Sequence, residues 1–167
     1  MLKIVTAACI AFVLPLGSAA WAGVATLSAL THAASWVNGK IDQRDVAGKV
    51  VLVDFYTFDC INCKHTEPNL RALYGSTKRR DLVIVGVHSP ETGYERDRAN
   101  LLASLKEQGI VWPVAVDNDF TVWNSYGIAA WPTQLIFDRH GKLRATVVGE
   151  GQDRQIDATV QQLMAEH

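Results

Sequence analysis

The sequence predicts an α/β domain, a mixed β-sheet with helices on both faces. Val50 to Tyr56 (VVLVDFY) and Leu82 to Val87 (LVIVGV) are short, β-branched, almost wholly apolar runs, the pattern of strands covered on both sides. Each is followed by a segment of helical periodicity. The chain then closes with two further strand-like runs and an amphipathic helix. At 167 residues, 49% hydrophobic and 20% charged, it is long enough for one domain with a real core and unlike a disordered chain. With 16 Lys+Arg against 17 Asp+Glu, it lacks the positive excess that nucleic acid or an anionic lipid surface would require.

Residues 1–22 (MLKIVTAACIAFVLPLGSAAWA) read as a cleaved signal peptide. Lys3 is the only charge, Ile4 to Leu16 is almost wholly apolar, and Ala20-Trp21-Ala22 is a small-x-small site before Gly23. An uncleaved membrane anchor is the alternative, disfavoured by Pro15, Gly17 and the small residues after them. Cys9 falls inside the apolar run and is read as a small hydrophobe lost with it. Removal of Lys3 leaves 15 basic and 17 acidic side chains, a net charge of −2. Export to the periplasm places the other two cysteines in an oxidising setting, where a thiol pair is either a structural disulfide or a redox centre.

Residues 23–35 are small and polar, a flexible lead-in to a folded domain over 36–167. Asn38-Gly39 is a two-residue hairpin signal. Ile61 to about Tyr74 reads as a helix with Leu70, Leu73 and Tyr74 on one side and a kink at Pro68. Tyr94 to Gln108 is a helix closed by Gly109. Val114 to Val116 reads as a brief strand and Phe120 to Tyr126 as a short helix ended by Gly127. Thr133 to Asp138 and Leu143 to Val148 are strands joined over Arg139–Lys142. The last helix begins near Asp153, with Ile156, Val160, Leu163 and Met164 on one face.

Cys60-Ile61-Asn62-Cys63 follows the first buried strand and opens the first long helix. A thiol there meets unpaired backbone N–H groups and the positive end of the helix dipole, which favour the thiolate and make Cys60 the attacking group. Cys63, one turn further on and less exposed, is the resolving thiol that closes a disulfide and expels a bound partner. A structural disulfide is a poor alternative, because so short a loop restrains the unfolded chain little. A metal site would need further ligands, with His65 and His88 the nearest nitrogen donors. Haem attachment needs His where Lys64 stands. No metal and no cofactor beyond the dithiol is expected.

Asp54 sits in the middle of an apolar strand, where an ionised carboxylate is expensive. Desolvation raises its pKa and suits it to acid/base work on Cys63. Its spacing of six residues before Cys60 returns it beneath the helix start. Trp131-Pro132-Thr133 precedes a strand, a permitted place for proline. On composition alone that bond is trans, while a cis bond would turn the backbone of Trp131 toward the dithiol.

VDFYTFDCINCKHTEP, followed downstream by AAWPTQLIFDRHGK, resembles the thioredoxin-like superfamily in its exported TlpA/ResA-type branch, from about Trp36 to the last helix. GVHSPE and VAVDNDFTVWNSYGIAAWPTQLIFD are similar in motif to the thioredoxin-like domain of DipZ-type proteins, which is fused to a membrane electron-transfer domain absent here. The resemblance implies a thioredoxin-like fold with a helical insertion and thiol–disulfide exchange on partner proteins. It implies reduction fed by a membrane-bound thiol donor, by a protein expected to be a monomer. It assigns Cys60 as nucleophile, Cys63 as resolving thiol, Asp54 as buried acid/base, Pro132 as a cis-proline and Trp131 as a wall of the substrate groove. Glu67-Pro68 matches a Glu-x-Pro or Glu-Pro feature of that branch.

Ile-Asn between the cysteines departs from thioredoxin, as does Asp59 in place of an aromatic. Asp59 raises the thiol pKa as a like charge, or caps the helix. Lys64 and His65 oppose its charge. His88 and Glu91 lie at the carboxyl edge of the sheet, where sites gather, though a solvated loop histidine is the more ordinary reading. Trp112, Trp123 and Tyr126 are read as core or edge aromatics, with Trp123 close enough in sequence to flank the groove. Two other functions remain open. One is a thiol peroxidase, for which Thr57 is suitably placed but Val53 replaces the expected proline. The other is a copper- or zinc-handling protein using Cys60, Cys63 and a histidine.

Overall fold

The structure is a computed structural model and describes residues 26–166. The expected signal peptide and Cys9 lie outside the described residues. Strand β1 is Ser35–Val37, helix α1 Gln43–Val46, β2 Val50–Tyr56 and α2 Ile61–Ser76. Then come β3 Leu82–His88, α3 Arg98–Gln108, β4 Val114–Val116 and α4 Thr121–Tyr126. The chain closes with β5 Thr133–Phe137, β6 Leu143–Val148 and α5 Asp153–Ala165. The six strands form one sheet in the order β1-β4-β3-β2-β5-β6. β2, β3 and β4 run parallel, while β1, β5 and β6 are each antiparallel to a neighbour.

Period-2 alternation along the buried strands divides the core into two layers. Val50, Leu52 and Tyr56 of β2 face α2, α3 and α5, meeting Leu70, Leu105 and Val160 among others. Val51, Val53 and Phe55 face the opposite way, toward Val46 of α1, Val122 of α4 and Leu30. By the same alternation Asp54 belongs to the α2 side. Helices therefore cover both faces, and the α/β mixed sheet read from sequence is the one observed.

Local chemistry sets the helix ends. Asp97 caps α3 by accepting from the N–H groups of Ala99 (2.8 Å) and Asn100 (3.0 Å), and Gly109 closes it at φ +67°. The helix expected over Tyr94–Gln108 is thus broken: Tyr94–Arg96 forms a separate 3₁₀ turn. Asp117 fixes α4 by accepting from the N–H groups of Val122 (2.8 Å) and Trp123 (2.9 Å). Helix α2 runs through Pro68 without interruption.

Two sequence readings need correction. Asn38 and Gly39 do turn the chain, both at positive φ, but they join no hairpin. β1 pairs with β4, far downstream, and the Asn38 amide donates to the carbonyls of Ile110 (2.9 Å) and Trp112 (3.3 Å). The lead-in read as loose carries a 3₁₀ turn over Leu27–His32 whose Leu30 is buried in the second layer.

Gly86 of β3 lies beside Asp54 in the sheet and beneath Tyr56. A Cβ there would stand 3.0 Å from Tyr56 Cε1 and 3.2 Å from Val114 Cγ2, closer than packed carbons tolerate. Gly86→Ala is expected to destabilise the fold by about 1–3 kcal/mol in urea unfolding. An unchanged midpoint would show that this layer has slack.

Candidate active site

β2 and α2 deliver the two cysteines. β2 ends at Tyr56, and Thr57–Asp59 turn the chain so that Cys60 becomes the N-cap of α2. The Cys60 sulfur accepts from the Cys63 N–H at 3.3 Å, satisfying one of the orphan donors at the helix start. The Cys60 N–H donates to the Thr57 carbonyl at 3.3 Å. Both thiols are free; Cys60 is half-buried, and Cys63 is 1% exposed. Burial pushes the Cys63 thiol far up, aided by the hydrogen bond its S–H donates toward Cys60 and by the Asp54 charge, while a backbone hydrogen bond from Thr57 pulls the other way.

Asp54 is 3% exposed and lies on the α2 side of β2. Burial pushes its carboxyl up to about 7, opposed by the Gln134 amide, which donates to it at 2.8 Å. Gln134 is its direct cross-strand neighbour in β5. Glu67, one turn past Cys63 in α2, is also buried. Burial and then the Asp54 charge push it up to about 7, against Arg71 and Lys64. Its closest cation is Arg71, at 3.5 Å. Tyr56 is raised well above its ordinary range, by burial first and then by the charges of Asp54, Glu67 and Cys63.

The remaining predicted residues divide. Asp59 does not cap α2. Its carboxylate pairs with Lys64 (3.1 Å) and its N–H donates to Glu95 (3.1 Å). Lys64 thus sets a positive charge directly against the Asp59 carboxylate. His65 turns away to Glu150, in the loop between β6 and α5. His88 is no solvated loop residue. β3 extends one residue further than expected, His88 is 0% exposed, and its ring stacks on Phe58 at 5.4 Å. Burial drives it down to about 4, so the ring is neutral near pH 7.

Trp131–Pro132 is a cis peptide bond. The register that sets Phe55 opposite Thr133 places this bond at the end of β2 from which the Cys60 loop leaves. Trp131 packs against Trp123 of α4, centroids 4.5 Å apart, and Trp123 is itself buried in the second core layer.

Glu91 is exposed, and the buried carboxylate of that loop is Glu95, four residues on. Its signal was the Thr92-x-x-Glu95 spacing, a capping-box pattern. The signal for Gln134 was an amide inside an apolar strand. Among the described residues no group of three or more His, Cys, Asp or Glu side chains is placed to hold a metal ion.

Asp54 binds its proton more tightly folded than unfolded, so raising the pH from about 4 to about 7 ionises the unfolded chain first and costs stability. Asp54→Asn removes that penalty and keeps a partner for Gln134. Its stabilisation, read from urea unfolding, is expected to grow by ~3 kcal/mol between pH 4 and pH 8 and then level off. A stabilisation independent of pH would remove the buried charge as its cause.

Comparison with known proteins agrees with this geometry. The family model described as AhpC/TSA matches residues 26–146. DipZ of Mycobacterium bovis is 35% identical over 127 residues, 76% of this chain but only 18% of DipZ. The chain thus spans about a fifth of that relative's length. The thiol-disulfide oxidoreductase ResA of Bacillus thuringiensis is 25% identical over 124 residues, 74% of this chain and 69% of ResA. A solved thiol-disulfide isomerase from Corynebacterium glutamicum superposes with a TM-score of 0.74 at 24% identity, covering 81% of this chain and 94% of that one. The family model covers most of the chain, and the chain belongs to the thioredoxin-like AhpC/TSA family.

Proposed function

We propose that this chain is an exported thiol–disulfide oxidoreductase that reduces disulfides in partner proteins and is recharged by a membrane-bound thiol donor. The observation that carries the reading is the asymmetry of the dithiol. One sulfur is reachable at a helix start, and the other is buried one turn on, above a carboxyl whose pKa lies near neutrality. The Cys60 thiolate attacks a partner disulfide, one partner sulfur leaves as thiolate and takes a proton, and a mixed disulfide forms. Asp54 accepts the Cys63 proton. The Cys63 thiolate then attacks the Cys60 sulfur, closing Cys60–Cys63 and releasing the second partner sulfur, which is protonated in turn. Two electrons have moved to the partner, and a dithiol of the donor returns them.

Export rests on the layout of residues 1–22; no helix among the described residues is long and apolar enough to cross a membrane. The direction of electron flow rests on the likeness to ResA-type proteins. A peroxidase would use the Thr57 hydroxyl at the Cys60 sulfur, but that hydroxyl is donated to Glu95. A copper or zinc site would draw on His65 or His88, and these face Glu150 and Phe58.

Cys60→Ser is expected to abolish disulfide reduction, and Cys63→Ser to accumulate a mixed disulfide visible on a non-reducing gel. Full activity in Cys60→Ser would sink the reading. Equilibration against glutathione is expected to give a Cys60–Cys63 potential more negative than about −240 mV; a value near that of a strong oxidant would reverse the direction of electron flow.

A further inference from the structure

Gln134 is a buried amide that packing alone does not explain. It sits in the middle of β5 and is 0% exposed, with Asp54 of β2 opposite it on one side and Val147 of β6 on the other. Period-2 alternation puts it on the α2 side of the sheet with Ile136, while Leu135 and Phe137 face the second layer. Its Nε2 donates to Asp54 Oδ1 at 2.8 Å, and its Oε1 has no hydrogen-bond partner among the described residues. An orphaned carbonyl oxygen in a closed core costs stability that an apolar side chain of similar volume would keep. The one contact that offsets this cost is the bond to Asp54.

Asp54 in turn has little else to hold its charge. No cationic side chain forms an ion pair with it among the described residues. On its own strand Tyr56 faces the same layer, and on α2 stand Cys63 and Glu67, all three pushed up by the Asp54 charge. The α2 cations Lys64 and Arg71 pair with Asp59 and Glu67. β3 offers Gly86, which has no side chain, and α3 and α5 present Leu101, Leu105, Ile156 and Val160. Asp157 of α5 is engaged by Asn69 at 3.0 Å. A cation in the place of Gln134 would hold Asp54 ionised and make it a weak base. An apolar side chain there would leave burial unopposed and keep it protonated to higher pH. A neutral N–H donor lies between, and its bond strengthens as the carboxylate forms.

We propose that Gln134 is a positioning residue for the resolving step: its amide, donating to the buried Asp54 carboxylate, sets the pH at which Asp54 takes the Cys63 proton. This rests on the reading above, in which Asp54 is the base. In that step the Cys63 S–H bond breaks and its proton passes to the Asp54 carboxylate. The sulfur's electron pair forms the Cys60–Cys63 bond, and the partner sulfur leaves with the pair of the bond it shared with Cys60. Gln134 acts through the carboxylate alone.

The test uses the full reduced chain and the aromatic disulfide dithiobis(nitrobenzoate), which releases one coloured thiolate when Cys60 attacks and a second when Cys63 resolves the mixed disulfide. The second rate is expected to rise with pH around a midpoint of about 7, as Asp54 ionises. Gln134→Met keeps the length of the side chain and removes the donor. It is expected to move that midpoint up by about 1–2 pH units, slowing the second release about tenfold at pH 7 and hardly at all at about pH 10. The first release is expected to stay as it is, and in an Asp54→Asn background Gln134→Met is expected to leave the pH profile unmoved. An unmoved midpoint, or slowing that is the same at every pH, overturns the proposal. If Gln134→Met does not fold, NMR of the unaltered chain decides. The side-chain amide resonances of Gln134 are expected to titrate together with the Asp54 carboxyl carbon, and amide resonances that stay fixed while that carbon titrates overturn it. A wild-type pH profile in Asp54→Asn would overturn it together with the Asp54 assignment, whereas no second release from the wild-type chain would overturn the oxidoreductase reading itself.

Discussion

Cys63 has to become an anion to react, yet its sulfur lies where an anion is costly. Burial opposes the thiolate, and so does the charge of Asp54 once that carboxyl ionises. The arrangement around the head of α2 answers this conflict. Asp54 is itself held near neutrality by burial, so it is poised to take a proton and remains uncharged part of the time. At the helix start the Cys63 N–H donates to the Cys60 sulfur, and a backbone hydrogen bond from Thr57 favours the Cys63 thiolate against these costs.

The sheet makes this possible by geometry. β2 is central and hydrogen-bonded on both edges, so its end is fixed where the Cys60 loop begins. β5 brings Gln134 opposite Asp54 and the Trp131–Pro132 bond beside the end of β2. β3 brings His88 and, through the turn that follows, Glu95. Three neighbouring strands each supply a different part of the site. A shift of β5 by one residue would turn Gln134 to the opposite face and leave the Asp54 carboxyl without its amide.

Much of this was legible in the sequence because some residues are costly unless they have a purpose. An aspartate inside VVLVDFY, or two cysteines where a strand gives way to a helix, has few ordinary explanations. The sheet runs were legible for the opposite reason, since continuous β-branched apolar residues fit few other roles. What escaped the sequence depended on long-range pairing. Asn38-Gly39 has the local chemistry of a hairpin, but whether a turn joins paired strands is decided by the partner, and β1 finds its partner in β4. His88 and Glu91 looked like surface residues of a polar loop. One additional residue of β3 and one 3₁₀ turn put His88 and Glu95 inside and left Glu91 outside. The cis isomer at Pro132 was not legible from composition, on which the trans form dominates, and came only from the family resemblance.

The ties from Glu95 to Thr57 and Asp59 cross between segments nearly forty residues apart in the chain. The four residues from Cys60 to Cys63 are consequently not a transplantable cassette. Grafted onto another scaffold of the same fold, they would carry the sulfurs and the helix dipole but leave behind the strut that sets the preceding turn. Exchange of redox loops among such scaffolds, in the laboratory or over evolutionary time, should succeed only when the β3–α3 connection travels with them.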